Sequence, residues 1–267
     1  MQDYSYVSLR AWAGSIGDRE RAGILSESLG IDAYRARELS RRTVPCIVAR
    51  LHHEPATRAA EALSRRAVGA SVHRHAELRA RLTPPIARRI EIRGSEMEAM
   101  LFRGGAVVRG CADVVLAARA HVRSQHRPGA GAFTHQLQGT LGAEAWMDQS
   151  VRRQGLGVSE VLDIHFRQGD TVRVEAGHFD VECLGADRGA TPAANMDCLL
   201  RRVEDATGRA IGDHGFEQAR FLAEFVGDFT DVSDRDARGH GAYALYSAWR
   251  SAMVLQEVGG RGAHAGG

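Results

Sequence analysis

Lysine is missing altogether: all 35 basic residues of this 267-residue chain are arginine. That excludes a lysine Schiff base and the lysine of a phosphate-binding P-loop. Cysteine is scarce. The four present, Cys46, Cys111, Cys183 and Cys198, form no C-x-x-C pair. Their scatter argues against a zinc ribbon or a disulfide scaffold and for reduced thiols in a cytoplasm. No apolar run reaches the ~18–20 residues that cross a bilayer, and "MQDYSYVSLRAWAG" lacks the basic-then-apolar order of a secretory leader. A cytoplasmic location without a membrane partner is therefore expected. There is no G-x-S-x-G nucleophile elbow; "AGSIG" (13–17) comes nearest, and Ser15 there is better read as a helix cap. "FRGGAVVRG" (102–110) contains no G-x-G-x-x-G and leads into a strand, so neither nucleotide cradling nor any cofactor is expected.

What is present describes a folded chain. At 44% hydrophobic and 25% charged residues, the composition is that of a globular protein, with length for about two domains. Charge is split along it. Residues 1–93 hold 17 arginines against 10 acids, whereas residues 156–267 hold 11 against 18. A basic front and an acidic back imply mutual docking or separate partners.

Alternation over 4–13 reads as a strand with Tyr6, Ser8, Arg10 and Trp12 on one side. A helix follows to Leu29, capped by Ser15 or Asp18 and ended by Gly30. A second helix runs from an Asp32 cap to Arg42. "VPCIVARL" (44–51) is a β-branched strand with Cys46 in its core, and a third helix opens around Pro55. "ASVHRH" (70–75) closes a β-α-α-β-α-β order.

That order resembles the C-terminal domain of ribosomal protein L7/L12. The residues that carry the likeness are Gly30-Ile31, then Ala36, Arg37 and Leu39, then Pro45, then Ala59 to Leu63, then Val68-Gly69-Ala70. It spans about residues 4–75. Where that family's factor-binding helix carries a lysine and an arginine, this chain has Gly23 and Ser26. The resemblance implies a small protein-docking module rather than a ribosomal stalk.

Pro84-Pro85 marks a boundary between a basic module, 1–82, and a second domain, 86–258. Segments at 87–94, 96–105 and 106–110 read as short strands; 113–122 fits strand or helix. The Gly-rich stretch 124–157 is expected to be a mobile loop and 259–267 a disordered tail. Helices are expected over 195–207, over 213–229 with Asp213 as cap, and over about 242–258. The fold class is thus α+β: the N-terminal module, then a mixed or antiparallel sheet with C-terminal helices.

One stretch alternates almost throughout: "VLDIHFRQGDTVRVEAGHFDVEC" (161–183). Its polar face would align Asp163 and His165 with His178, Asp180 and Glu182, residues of one strand face standing ~7 Å apart. Two imidazoles and carboxylates of this kind suit zinc or a transition metal. The plainer reading is the solvated face of a sheet, balanced by Arg173 and Glu175. His52-His53 and His73 to His75 are read as surface histidines.

The function expected from the residues is non-catalytic: an adaptor or regulatory protein docking an acidic protein partner. The contact is placed at Gly30, Ile31, Arg35, Arg37 and Arg41. The alternatives are a metal-dependent enzyme on the 163–182 face and nucleic-acid binding by the arginine-rich front, whose few aromatics offer little base stacking.

Overall fold

A computed structural model describes residues 3–12, 14, 16–124, 157–228 and 237–264. The expected loop 124–157 falls almost wholly outside these, as does Ser15. The fold is α+β, in two compact units.

The first unit comprises Met1–Thr83, Gln218–Phe225 and Leu245–Gly267. It opens with β1 (Tyr4–Ala11), α1 (Asp18–Leu29), α2 (Ala33–Ser40), β2 (Cys46–His52), α3 (His53–Arg65) and β3 (Gly69–Arg74), the expected order. A five-residue helix, α4 (His75–Arg79), follows. β1 lies between β2 and β3 and is antiparallel to both. The local chemistry explains the joints. Gly30 adopts φ 65°, and its N–H and that of Ile31 return to the Ser26 carbonyl, ending α1. Asp32 Oδ1 then accepts from the N–H groups of Tyr34 and Arg35, both at 2.9 Å, and starts α2. One sheet face, with Val7, Leu9 and Val48, packs on Leu25, Leu39, Ala59 and Leu63 of the helices.

The other face of that sheet holds Tyr6, Ser8 and His73, all at most 1% exposed. The end of the chain covers it. In α6 (Ala237–His264), Trp249 Nε1 donates to Ser8 Oγ at 2.7 Å and Gln256 donates to the Val72 carbonyl at 3.1 Å. Phe225 meets Tyr6 edge-on at 5.8 Å, and Phe221 meets Trp249 in the same way. The first unit therefore recruits 218–225 and 245 onward, which differs from a module closed at residue 82. α6 also continues to His264, through most of the stretch expected to be a disordered tail.

The second unit, Pro84–Glu217 with Val226–Ala244, starts at the double proline. Its strands are β4 (Ile86–Arg93), β5 (Glu96–Leu101), β6 (Ala106–Gly110), β7 (Val114–Ser124), β8 (Gly157–Phe166), β9 (Thr171–Glu175) and the two-residue β10 (Gly212–Asp213). They form one mixed sheet, β10-β7-β8-β9-β4-β5-β6. Only Cys111–Asp113 separates β6 from β7, although four strands stand between them in the sheet. The sheet must curl to permit this, and Arg109 of β6 reaches Asp170 in the β8–β9 turn at 2.7 Å. Helix α5 (Pro192–Thr207), capped by Thr191, fills the concave side with Met196, Leu199, Leu200 and Val203 against Leu162, Ile164, Phe166 and Val174. The expected helix over 213–229 is instead a run of short 3-10 turns between 215 and 228. Asp213 caps the nearby Gly215 N–H at 2.9 Å rather than a long helix, and the run is broken at Ala219 and Phe225. No helix among the described residues is long and apolar enough to cross a membrane.

Candidate functional site

The 163–182 row does not form. β9 ends at Glu175, the chain turns through Gly177, and Val181–Asp187 is a 3-10 helix. Asp163 and His165 stay on a strand; His178, Asp180 and Glu182 leave it. Among the described residues no group of three His, Cys, Asp or Glu side chains could hold a metal ion.

The strand part of the row is not solvated either. Asp163 and His165 are each 1% exposed. Asp163 accepts two parallel bonds from Arg173, at 2.7 and 2.8 Å, and His165 Nδ1 pairs with Thr171 Oγ1 at 2.8 Å. The ring of Tyr243, in the first turns of α6, lies 5.2 Å from the Arg173 guanidinium, and its hydroxyl donates to the Ala118 carbonyl. Burial works against the charged guanidinium; the Asp163 carboxylate more than offsets it and holds the Arg173 pKa above its ordinary value. A bidentate, buried and charge-balanced pair of this kind leaves no free acid or base. The remaining members have partners of their own: His178 has Glu175 at 3.1 Å, Asp180 accepts from the Glu182 N–H at 3.1 Å and faces Arg89 at 3.6 Å, and Glu182 has Arg188 at 2.5 Å.

The histidines at the strand ends divide similarly. His52 is exposed and stacks on Tyr4 at 4.9 Å. His53 bridges Ser5 and Arg74. His73 is not a surface residue: it is 1% exposed, its Nε2 pairs with Ser71 Oγ at 3.0 Å, and its Nδ1 has no hydrogen-bond partner. Burial, followed by the nearby Arg10 and Arg81, lowers its pKa to about 4. Cys46 is core, its thiol pushed up to about 12 by burial.

The docking residues fare differently from one another. Gly30 ends α1, and Ile31 packs partly against the core of the first unit. Arg35 is engaged: it donates to Glu38 at 2.6 Å and to Glu224. Arg37 and Arg41 are exposed and line a groove of about 630 Å³ between α1 and α2. Arg19 opens onto the same groove, whose floor includes Ala22, Gly23 and Ser26. None of these three guanidiniums has a carboxylate partner among the described residues. The groove's own acids are occupied elsewhere, Asp18 by Arg21 at 3.7 Å and Glu27 by Arg66. Tyr34, 80% exposed, stands three residues before Arg37 and seven before Arg41, on one helix face. Tyr34 and Arg19 were not evident as site residues in the sequence. The only signal available was the i, i+3, i+7 spacing of an aromatic and two arginines.

A closed ring of charges lies outside the groove lining, on the other flank of α2. Glu224 accepts from both Arg35 and Arg42, while Glu38 faces Arg35 at 2.6 Å and Arg42 at 3.6 Å. Arg42 also lies 5.7 Å from the Phe221 ring and donates to the Ile47 carbonyl. No protein-family model matches this chain, and no curated protein or solved structure matches it.

Proposed function

We propose that this chain is a non-catalytic docking protein, an adaptor or regulator that captures an acidic protein segment on the α1–α2 groove. The observation that carries the reading is the trio Arg19, Arg37 and Arg41, unpaired by carboxylates among the described residues, beside an exposed Tyr34. Unpaired guanidiniums around an exposed aromatic are the composition of interface hot spots. The small floor at Ala22, Gly23 and Ser26 lets a partner's backbone come close. The L7/L12-like element order, and the place that family's docking helix holds in it, support the same surface. A cytoplasmic setting fits the reduced, unpaired cysteines.

The test is fluorescence anisotropy with a labelled poly-glutamate peptide. Arg37→Glu with Arg41→Glu is expected to weaken binding by about tenfold or more, equivalent to ~1.4 kcal/mol, and rising salt to weaken the wild type progressively. Binding that ignores the charge reversal would refute the surface. Tighter retention of a single-stranded oligonucleotide than of the peptide would transfer the reading to nucleic acid.

A further inference from the structure

We infer that Arg35 and Arg42 form a carboxylate seat now filled by the chain's own Glu224, and that a partner carboxylate takes its place when the α1–α2 surface is engaged. The inference rests on the docking reading and adds how the surface is regulated. Glu224 belongs to Gln218–Phe225, a segment drawn from the acidic rear of the sequence into the first unit. Its two carboxylate oxygens are divided between two arginines, Oε2 to Arg35 and Oε1 to Arg42. One carboxylate bridging two guanidiniums is what an acidic ligand would present.

The contact is built to exchange. Arg35 is 35% and Glu224 37% exposed at the side chain, so solvent reaches and screens their pair. Such pairs contribute little to stability. The segment does not depend on Glu224 for its position, since Phe225 packs on Tyr6 and Phe221 on Trp249. Arg42, only 12% exposed, is held by the Ile47 carbonyl and the Phe221 ring whether or not Glu224 is in place. The seat therefore persists when its occupant leaves. Arg35 and Arg37, two residues apart on α2, lie on opposite flanks of that helix with the exposed Tyr34 between them, so a partner held in the groove reaches the seat by crossing the outer face of α2 over Tyr34. A partner acid anchored at Arg37 and Tyr34 competes with Glu224 at high local concentration. Glu224 accordingly acts as a brake, and its removal leaves Arg35 and Arg42 balanced by Glu38 alone.

The experiment compares poly-glutamate binding by the wild type, Glu224→Gln and Glu217→Gln in the full chain. Glu217 is exposed, lies just before the segment, and controls for the loss of one negative charge. Glu224→Gln is expected to tighten binding about two- to fivefold, with Glu217→Gln close to the wild type. In the wild-type protein, saturating peptide should also move the Glu224 carboxyl carbon resonance toward that of free glutamate, a readout independent of any variant's folding. Unchanged affinity in Glu224→Gln together with a static resonance would overturn the brake and leave the docking surface standing. Absence of peptide binding by the wild type and by a folded Glu224→Gln would overturn both. Binding by Glu224→Gln alone would establish the brake in its strongest form.

Discussion

Single residues decide how this chain responds to acid. His73 sits in the sheet of the first unit with its Nδ1 unpartnered, facing the charges of Arg10 and Arg81. Its pKa is about 4 folded, against an ordinary value of 6.5. Between those values the unfolded chain holds the proton and the folded chain does not. Stability is therefore complete above about pH 6.5 and falls as the pH drops towards 4, by about 3 kcal/mol in total. Urea titrations at pH 7 and pH 5 should show a smaller difference for His73→Asn than for the wild type; equal differences would mean that the imidazole titrates freely. Residue types alone placed His73 among the surface histidines, because nothing local marks the covering helix. The same limitation applies to Asp163 and Arg173. Their pairing across β8 and β9 is legible from alternation and charge, but their burial under Tyr243 is not. Breaking a pair of this kind costs ~3–5 kcal/mol, because the remaining charge is stranded.

At the level of elements, the helix and strand signals that rest on nearby residues hold well. Gly30 and Asp32 each satisfy backbone groups within a few positions, so the end of α1 and the start of α2 were legible. Replacing Asp32 by alanine removes two backbone bonds and is expected to cost about 1 kcal/mol, read as a fall in urea midpoint without a change in slope. A midpoint equal to the wild type would mean that water caps α2 as well as Asp32 does. Signals failed where one residue type serves two conformations. Asp213 reads as a helix cap yet makes a tight turn, and Phe216, Phe221 and Phe225 have helical spacing without forming a helix. Phe216 instead packs on Tyr243 and Phe225 on Tyr6, so the spacing reflected separate contacts and not one buried stripe. The 161–183 alternation was true only to Glu175, where Gly177 and the 3-10 turn after it end the strand.

At the scale of the whole molecule, the chain's two ends fold together. Trp249 reaches Ser8 across 241 residues of sequence, so the first unit is incomplete until the last helix has been made. Contacts this distant must overcome loop-closure entropy before they stabilise anything. Trp249→Ala should lower stability by about 3–5 kcal/mol, as for other fully buried large aromatics, measured by chemical denaturation followed through the near-ultraviolet signal of the first unit. A loss below ~1 kcal/mol would indicate that the helix merely rests on the sheet.

Composition and local pattern by themselves determined the class of chain, the β-α-α-β-α-β order, the break at Pro84-Pro85 and the basic character of α2. Each follows from propensity, capping or net charge, which act over a few residues. Only tertiary structure decided which polar faces stay wet. It buried Tyr6, Ser8, His73, Asp163 and His165, engaged Arg35 and Arg42 with Glu224, and left Arg19, Arg37 and Arg41 without carboxylate partners among the described residues. The reason is that burial depends on what arrives from elsewhere in the chain, and a period of two or 3.6 residues records only that a face exists.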